Sequence, residues 1–494
     1  MIDDAGGRLA RVDGRAAVSW LLKFHRLYAA DPDLRSTRAL AAALTAPGER
    51  PIAHTTVSRW EWARTRMPTT VLRRFEDVLG APSGQLSKIV THLWGSRPSA
   101  SPAIDPELLD KCLGGEVVTA TEWSDLAGDL GRARYALTSS GWQDLARRLV
   151  AEMSVSIGWR YLCRLSALRA LQAHIEGGPA VFAAVEAFVE DPDCQVIVDP
   201  VALLADSTQR AARRFLLAKT FSPGSESELC GALIAWAARP PADELLCMRL
   251  ASVAMSWLRD LAVSAGVREA ATDLLASLPP SAWCSRVQRP PVRLRMRHAA
   301  FGEQPVVDQL LRTLVRAQTG RHAEDAIGPR VVQQALFSTD SDVRVTSVNV
   351  LHASPFRDVI ADATADLLAA SPDPDPTTTV ALIDLLGGLG RQRHRQVMEM
   401  LLCNSSVAAA ASLALAHLPG STGSNTWRYT LAAHPHDHRR IELIGQAVLY
   451  ANGMNGDRAG LELLLADPAA TQDTIRRAQW WLRLPAAAVI SARH

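Results

Sequence analysis

The last third of this chain returns to the same pattern at a nearly fixed step. Polar or proline-bearing openings fall near Thr339, Pro372, Asn404, Asp437 and Asp467, spaced 30 to 33 residues apart. Each opening leads into a run of small and aliphatic residues long enough for one helix. The gap between openings leaves room for one more, as in Pro355–Ser371. A lone helical hairpin cannot bury its own apolar face, so units of this size must stack on their neighbours. Alanine and glycine at the contacts let the backbones approach. The spacing therefore predicts an all-α chain whose C-terminal part is an α-solenoid of helical hairpins.

Within that pattern, Asp342-Val343-Arg344 resembles the Asp-x-Arg that HEAT repeats carry at the start of their second helix. Four earlier segments read as degenerate units of the same kind: Asp206–Phe221, Ser225–Ala238, Asp243–Leu261 and Val267–Leu278. Two β-branched runs stand out. Gln195–Val201 is the clearest strand-like run, whereas Arg344–Val350 is assigned to helix because it belongs to the repeat. Composition shifts divide the chain into five parts. An N-terminal bundle (residues 1–94) is followed by a Pro- and Ser-rich linker (95–106) that cannot build a core. A degenerate helical repeat region (107–285), a basic connector (286–298) and the HEAT-like repeats (299–494) complete the order.

Charge is the next constraint. The 494 residues carry a formal net charge of only +2, so bulk charge gives no reason to expect nucleic acid. Its distribution does. Between Arg35 and Phe75 lie eight arginines (Arg35, Arg38, Arg50, Arg59, Arg64, Arg66, Arg73, Arg74) against two acids, Glu49 and Glu61. A basic head on a mildly acidic body concentrates attraction for phosphate at one end. Lysine is nearly absent, being confined to Lys23, Lys88, Lys111 and Lys219. The arginine excess elsewhere thus reflects overall codon usage more than a binding role.

The basic segment has a definite local form. A first helix is expected over Arg15–Ala30, a second through Leu40 and Leu44, a third over about Thr55–Arg64 and a fourth over Thr69–Leu79. A fifth is expected over Ser83–Leu93. Val57 and Trp60 are three apart and can pack inward, while Ser58, Arg59 and Trp62 face elsewhere. His54, Thr55 and Thr56 stand at the opening of the third helix, and Arg64 and Arg66 follow its end. A groove-reading helix needs these three things: polar side chains at its start, an apolar lock to the body, and flanking cations. The planar fork of Arg59 matches the O6 and N7 acceptors of guanine. Arg50, Arg64, Arg66 and Arg73 suit phosphates.

Leu40-Ala41, Thr56–Glu61 and Leu72–Gly80 together resemble the phage-repressor-like (XRE-type) helix-turn-helix family, over roughly Val18–Leu86. The resemblance implies a DNA-binding bundle in which His54, Thr55, Thr56, Ser58 and Arg59 touch bases or phosphates. It also implies a structural role for Glu61. Two features depart from the family: the link from Leu44 to Val57 is longer than the usual tight turn, and the customary glycine two places after the glutamate is Ala63.

These readings make the chain a sequence-specific transcriptional regulator that binds double-stranded DNA, most simply as a homodimer on two half-sites. Its helical body would serve dimerisation, partner binding or signal sensing, with a protein or small-molecule effector as a further expectation. The rival reading is a helical-repeat scaffold or adaptor for protein partners; a remote one is a HEAT-like DNA-base glycosylase. No Walker loop, dinucleotide glycine fingerprint, G-x-S-x-G or kinase signature occurs, so no enzymatic activity, catalytic residue or cofactor is expected. His434, His436 and His438 alternate as metal ligands can in an extended loop, yet no cysteine pair supports them, and no metal is expected. Arg286–Arg297 is a second basic run, read as connector. Seven scattered cysteines suit a reducing compartment. With no apolar run long enough to span a bilayer, no membrane partner is expected and the location is cytoplasmic, at the nucleoid.

Overall fold

The computed structural model describes residues 12–95, 105–130, 137–260, 262–282, 305–318, 325–338, 340–370, 376–404, 406–432, 438–467 and 470–494. Among them are 27 α-helices joined by turns and short 3-10 segments, with no strand. The chain is all-α. The β-branched run Gln195–Val201 is not a strand: it turns through Ile197 and enters the helix Val198–Leu203. Pro200 sits in the first turn of that helix, where its missing N–H costs nothing. Arg344–Val350 lies inside the helix Ser341–His352, whose first turn is capped by the Asp340 carboxylate accepting from Val343 N. A cap and a stacked neighbour outweigh a modest β preference. The basic run 286–297, most of the 95–106 linker, and His434 and His436 lie outside the described residues.

The chain divides into two compact units, Met1–Ser101 with Arg295–Leu482, and Pro102–Leu294 with Arg483–His494. The first begins with five helices: α1 (Gly14–Leu27), α2 (Thr37–Ala43), α3 (His54–Glu61), α4 (Thr69–Leu79) and α5 (Gln85–Trp94). Asp31 and Ser36 side chains cap the turn and the helix between α1 and α3. Gly80, with φ of 66°, ends α4 in the left-handed conformation that glycine adopts without steric cost.

In the same unit, the openings near residues 339, 372, 404 and 437 precede the helices Ser341–His352, Pro376–Leu389, Ala408–His417 and His438–Asn455. Each of these four packs against the next. Between them, Arg357–Ala370 packs on Pro305–Ala317 and on Arg395–Leu401, so that a second row of helices forms. Small residues set the spacing. A Cβ on Gly387 would sit 3.3 Å from Ala414 Cα on the next helix.

The helix α1 is apolar around most of its circumference, which a helix on a surface would not be. It packs on α3 and α5 along one side. On another, Trp20, Phe24 and Tyr28 place their ring centroids 5.8, 5.2 and 5.0 Å from Phe356. The Phe24 and Tyr28 contacts are edge-on and the Trp20 contact is tilted, and such ring packing adds to the burial of large apolar area. Polar contacts follow the same seam. Gln85 Nε2 donates to the His352 carbonyl at 2.8 Å, and His25 Nε2 donates to the Ala353 carbonyl at 2.6 Å. These are carbonyls at the end of the helix Ser341–His352, which has no further turn to use them. Tyr28 donates to the Ala317 carbonyl at 2.5 Å. The five N-terminal helices and the C-terminal row therefore share one core.

The second unit is built in the same manner. Ser139–Ser154 packs on Gly177–Val189, Val198–Leu203 packs on Glu226–Ala238, and that helix packs on Ala265–Ser277. Ser225 and Asp243 cap the helices expected to begin there, and Ser264 caps the helix Ala265–Ser277, which starts two residues before the expected Val267. Its centre is a fully buried ionic group. Glu152 and Arg164 both have side-chain exposure of 0%, with Arg164 Nε 3.0 Å from Glu152 Oε2. Trp123 Nε1 and Arg148 Nε also donate to Glu152, at 2.7 and 2.9 Å. Arg164 Nη2 donates to the Ser491 carbonyl, and Ser491 Oγ accepts from Val118 N. The last helix, Ala486–Ser491, is thus pinned to the unit at Ser491 by both Arg164 and Val118.

Two outcomes follow from this packing. Removing Glu152 strands Arg164 without its counter-ion, so Glu152→Ala should lower unfolding stability by about 3–5 kcal/mol, measured by urea denaturation. Burial holds His25 below the ordinary histidine value of 6.5 despite its bond to Ala353. The unfolded chain then takes up the proton first as pH falls, so His25 supports full stability above that value and loses it below. His25→Gln keeps a donor without a titrating group. Its thermal midpoint should change less than that of the parent between pH 7 and pH 5.

Candidate nucleic-acid interface

The segment from α2 to α4 is short on apolar residues and spends them inward. Leu40 of the second helix and Leu44 just past its end are fully buried, as is Val57 of the third, and Trp60 is 6% exposed. Helix α2 packs directly on α3. Thr55, Ser58, Arg59 and Trp62 recur at the i, i+3, i+4, i+7 spacing of one helix face, opposite Val57 and Trp60. Thr55, Arg59 and Trp62 are exposed and Ser58 is half-buried. His54 at the helix start is exposed and Thr56 is half-buried. No side chain caps α3, because the residue before it is Ala53. Its first N–H groups are left for solvent or an anion.

The end of α3 is fixed by charge. Glu61 is buried, and Arg26 of α1 reaches it with Nε 2.5 Å from Oε1 and Nη2 2.9 Å from Oε2. This bidentate fork is the geometry in which arginine binds carboxylate best. Burial pushes the Glu61 carboxyl upward, and the Arg26 guanidinium opposes the shift. Ser19 donates to the Glu61 carbonyl, and Arg26 Nη1 donates to the Arg35 carbonyl just before α2. One arginine thereby ties α1 to the end of α3 and the start of α2. A second buried carboxylate, Glu76, accepts from Gly84 N and Ser87 N at 2.8 and 2.6 Å and anchors the start of α5. Burial raises it as well, and the backbone donors oppose the rise.

The long link between Leu44 and Val57 is a clamped loop. Arg74 of α4 donates through Nη1 to the Leu44 carbonyl at 2.9 Å and pairs with Glu49 at 2.8 Å. Thr45 Oγ1 accepts from Ile52 N at 3.0 Å and donates to the Ala41 carbonyl at 2.9 Å. Arg50 stays exposed on this loop. The turn after α3 is held by Ala63 at φ of 46°, where Ala63 N donates to Trp60 O and Arg64 N to Arg59 O. These paired bonds form the Schellman arrangement that normally uses glycine. Ala63 is the one non-glycine residue with positive φ among those described.

The expected site residues are therefore distributed as follows. His54, Thr55 and Arg59 stand open on α3, with Thr56 and Ser58 partly shielded. Arg50, Arg64 and Arg66 are exposed around its two ends, and none of them forms an ion pair with a described acid. Arg73 is not among these exposed arginines: it is half-buried on α4 with its Nε enclosed. Two residues outside the expected set belong to the open surface. Arg38 is exposed on the first turn of α2, and Trp62 is 67% exposed at the end of α3. The helical spacing from Thr55 could have added Trp62. Among the described residues, no group of histidine, cysteine, aspartate and glutamate could hold a metal ion. None of their helices is long and apolar enough to cross a membrane.

No protein-family model matches this sequence. No curated protein matches it either.

The left-handed Ala63 gives a direct check of the turn. An alanine there carries about 1–2 kcal/mol of steric cost that glycine avoids. Ala63→Gly should therefore raise the thermal midpoint of the full chain. Arg26→Ala should act oppositely: it leaves the buried Glu61 carboxylate unpaired, a loss of about 3–5 kcal/mol in denaturant titration.

Proposed function

We propose that α2 and α3 are a helix-turn-helix and that this chain is a sequence-specific transcriptional regulator of double-stranded DNA. The observation that carries the reading is the division of α3 into two faces. Val57, Trp60 and Glu61 are buried, while Thr55, Arg59 and Trp62 are open to a partner. Arg50, Arg64 and Arg66, which pair with no acid among the described residues, supply positive charge at its two ends. In this reading Arg59 enters the major groove and reads guanine through O6 and N7. Arg50, Arg64 and Arg66 meet phosphates and set the register. The uncapped start of α3 points its amides at the backbone.

The clamp of Arg74 on Glu49 and Leu44 supports the same reading of the long link. Ten residues between α2 and α3 would blur the aim of a groove-reading helix if they moved freely. Pinned at Leu44, Thr45 and Glu49, they present it instead. The helices from Pro305 onward form HEAT-like repeats in this account. Because the N-terminal bundle shares a core with them through Phe356, a ligand or partner on the repeats could shift the reading head without a hinge. The regulator acts as a homodimer on two half-sites separated by about one helical turn of DNA.

The test uses the full chain and a random-sequence duplex library, followed by titration of the selected duplex against salt. Affinity should fall linearly with the logarithm of salt concentration. Arg64→Ala should reduce that slope by about 1, and Arg59→Ala should cost about 1–3 kcal/mol of preference for the selected sequence over a scrambled one. Failure to enrich any sequence, or binding that ignores salt, would contradict the assignment.

A further inference from the structure

We propose that Trp62 is a specificity-determining residue that reads the C5 methyl group of thymine beside the base contacted by Arg59. This deepens the DNA-binding reading above and rests on it. Helix α3 carries two tryptophan neighbours with opposite fates. Trp60 is 6% exposed and locks the helix to its bundle, whereas Trp62 is 67% exposed. Trp62 has no ring or cation partner among the described residues. An indole left mostly in water adds far less to the fold than the buried Trp60.

Its backbone is not loose. Trp62 N donates to the Ser58 carbonyl at 3.0 Å, and the left-handed Ala63 directly after it turns the chain away. The ring is consequently presented on the same face as Thr55 and Arg59. It lies three residues beyond Arg59, about 4.5 Å further along the helix axis, which is comparable to one base-pair step. The major-groove edge offers one apolar feature, the thymine methyl, and side chains that recognise it do so by apolar contact. Arg64, two residues on and past the turn at Ala63, is exposed, so in sequence the ring lies between a base-reading cation and a phosphate-binding one. Its contribution to binding is area removed from water, which salt does not screen.

The experiment measures the full chain, wild type and Trp62→Ala, on the duplex selected from the random library. Each thymine of that duplex is replaced in turn by deoxyuridine, which lacks only the methyl. For wild type, one or two replacements should weaken binding about threefold to fivefold, the loss expected for one methyl-sized group. Trp62→Ala should bind the parent duplex more weakly, show no penalty for those same replacements, and keep the wild-type salt slope. Trp62→Phe should restore part of the methyl dependence. If wild type and Trp62→Ala respond alike to every replacement while still binding DNA with salt dependence, the role of Trp62 is overturned and DNA binding stands. If no duplex is enriched and no salt-dependent binding occurs, both fall together.

Discussion

The forked pair between Arg26 and Glu61 is the contact on which the candidate interface depends. It buries a carboxylate at the end of α3 and satisfies both its oxygens from a single side chain on α1. The same guanidinium reaches the Arg35 carbonyl ahead of α2. Three segments are therefore positioned by one charged group. A buried pair of this kind adds little net stability over an apolar substitute, but it is intolerant of losing one partner. It also consumes the only acid on α3, leaving that helix with an outward face free of negative charge.

Helix α1 extends this arrangement in the other direction. Its Arg26 side serves α3, and its aromatic side, Trp20, Phe24 and Tyr28, serves Phe356. The caps that Gln85 and His25 place on the His352 and Ala353 carbonyls make the seam specific as well as apolar. The bundle and the C-terminal row of helices consequently behave as one folded body. In the second unit an analogous economy is visible, where Arg164 and Glu152 hold the final helix through Ser491.

Much of this was legible in the residues themselves. The 30- to 33-residue step marked the openings of helices at Ser341, Pro376, Ala408 and His438 because polar or proline-bearing openings and small apolar runs are local features. The inward placement of Val57 and Trp60 followed from helical spacing. What stayed hidden depends on contacts between distant parts of the chain. Nothing in Trp20 or Phe24 announces Phe356, more than 300 residues away, and the single core they form with the repeats was not readable. Arg26 gave no sign of pairing with Glu61, since an arginine at the end of a helix is usually solvated. The β-branched Gln195–Val201 misled because a β preference this short is outweighed by its place at the entry of the helix Val198–Leu203, where Val201 is buried. Trp62 was legible as facing away from Val57 and Trp60, but the extent of its exposure depends on how neighbouring segments pack around the helix end.

The central claim is that the open face of α3 meets DNA. Hydrogen–deuterium exchange of the full chain, with and without a duplex selected for binding, tests it most directly. Added duplex should slow exchange in the peptides covering Arg50–Arg66 and leave the helices Pro376–Leu389 and Ala408–His417 unchanged. Slowed exchange confined to the repeat helices, with Arg50–Arg66 unaffected, would contradict it.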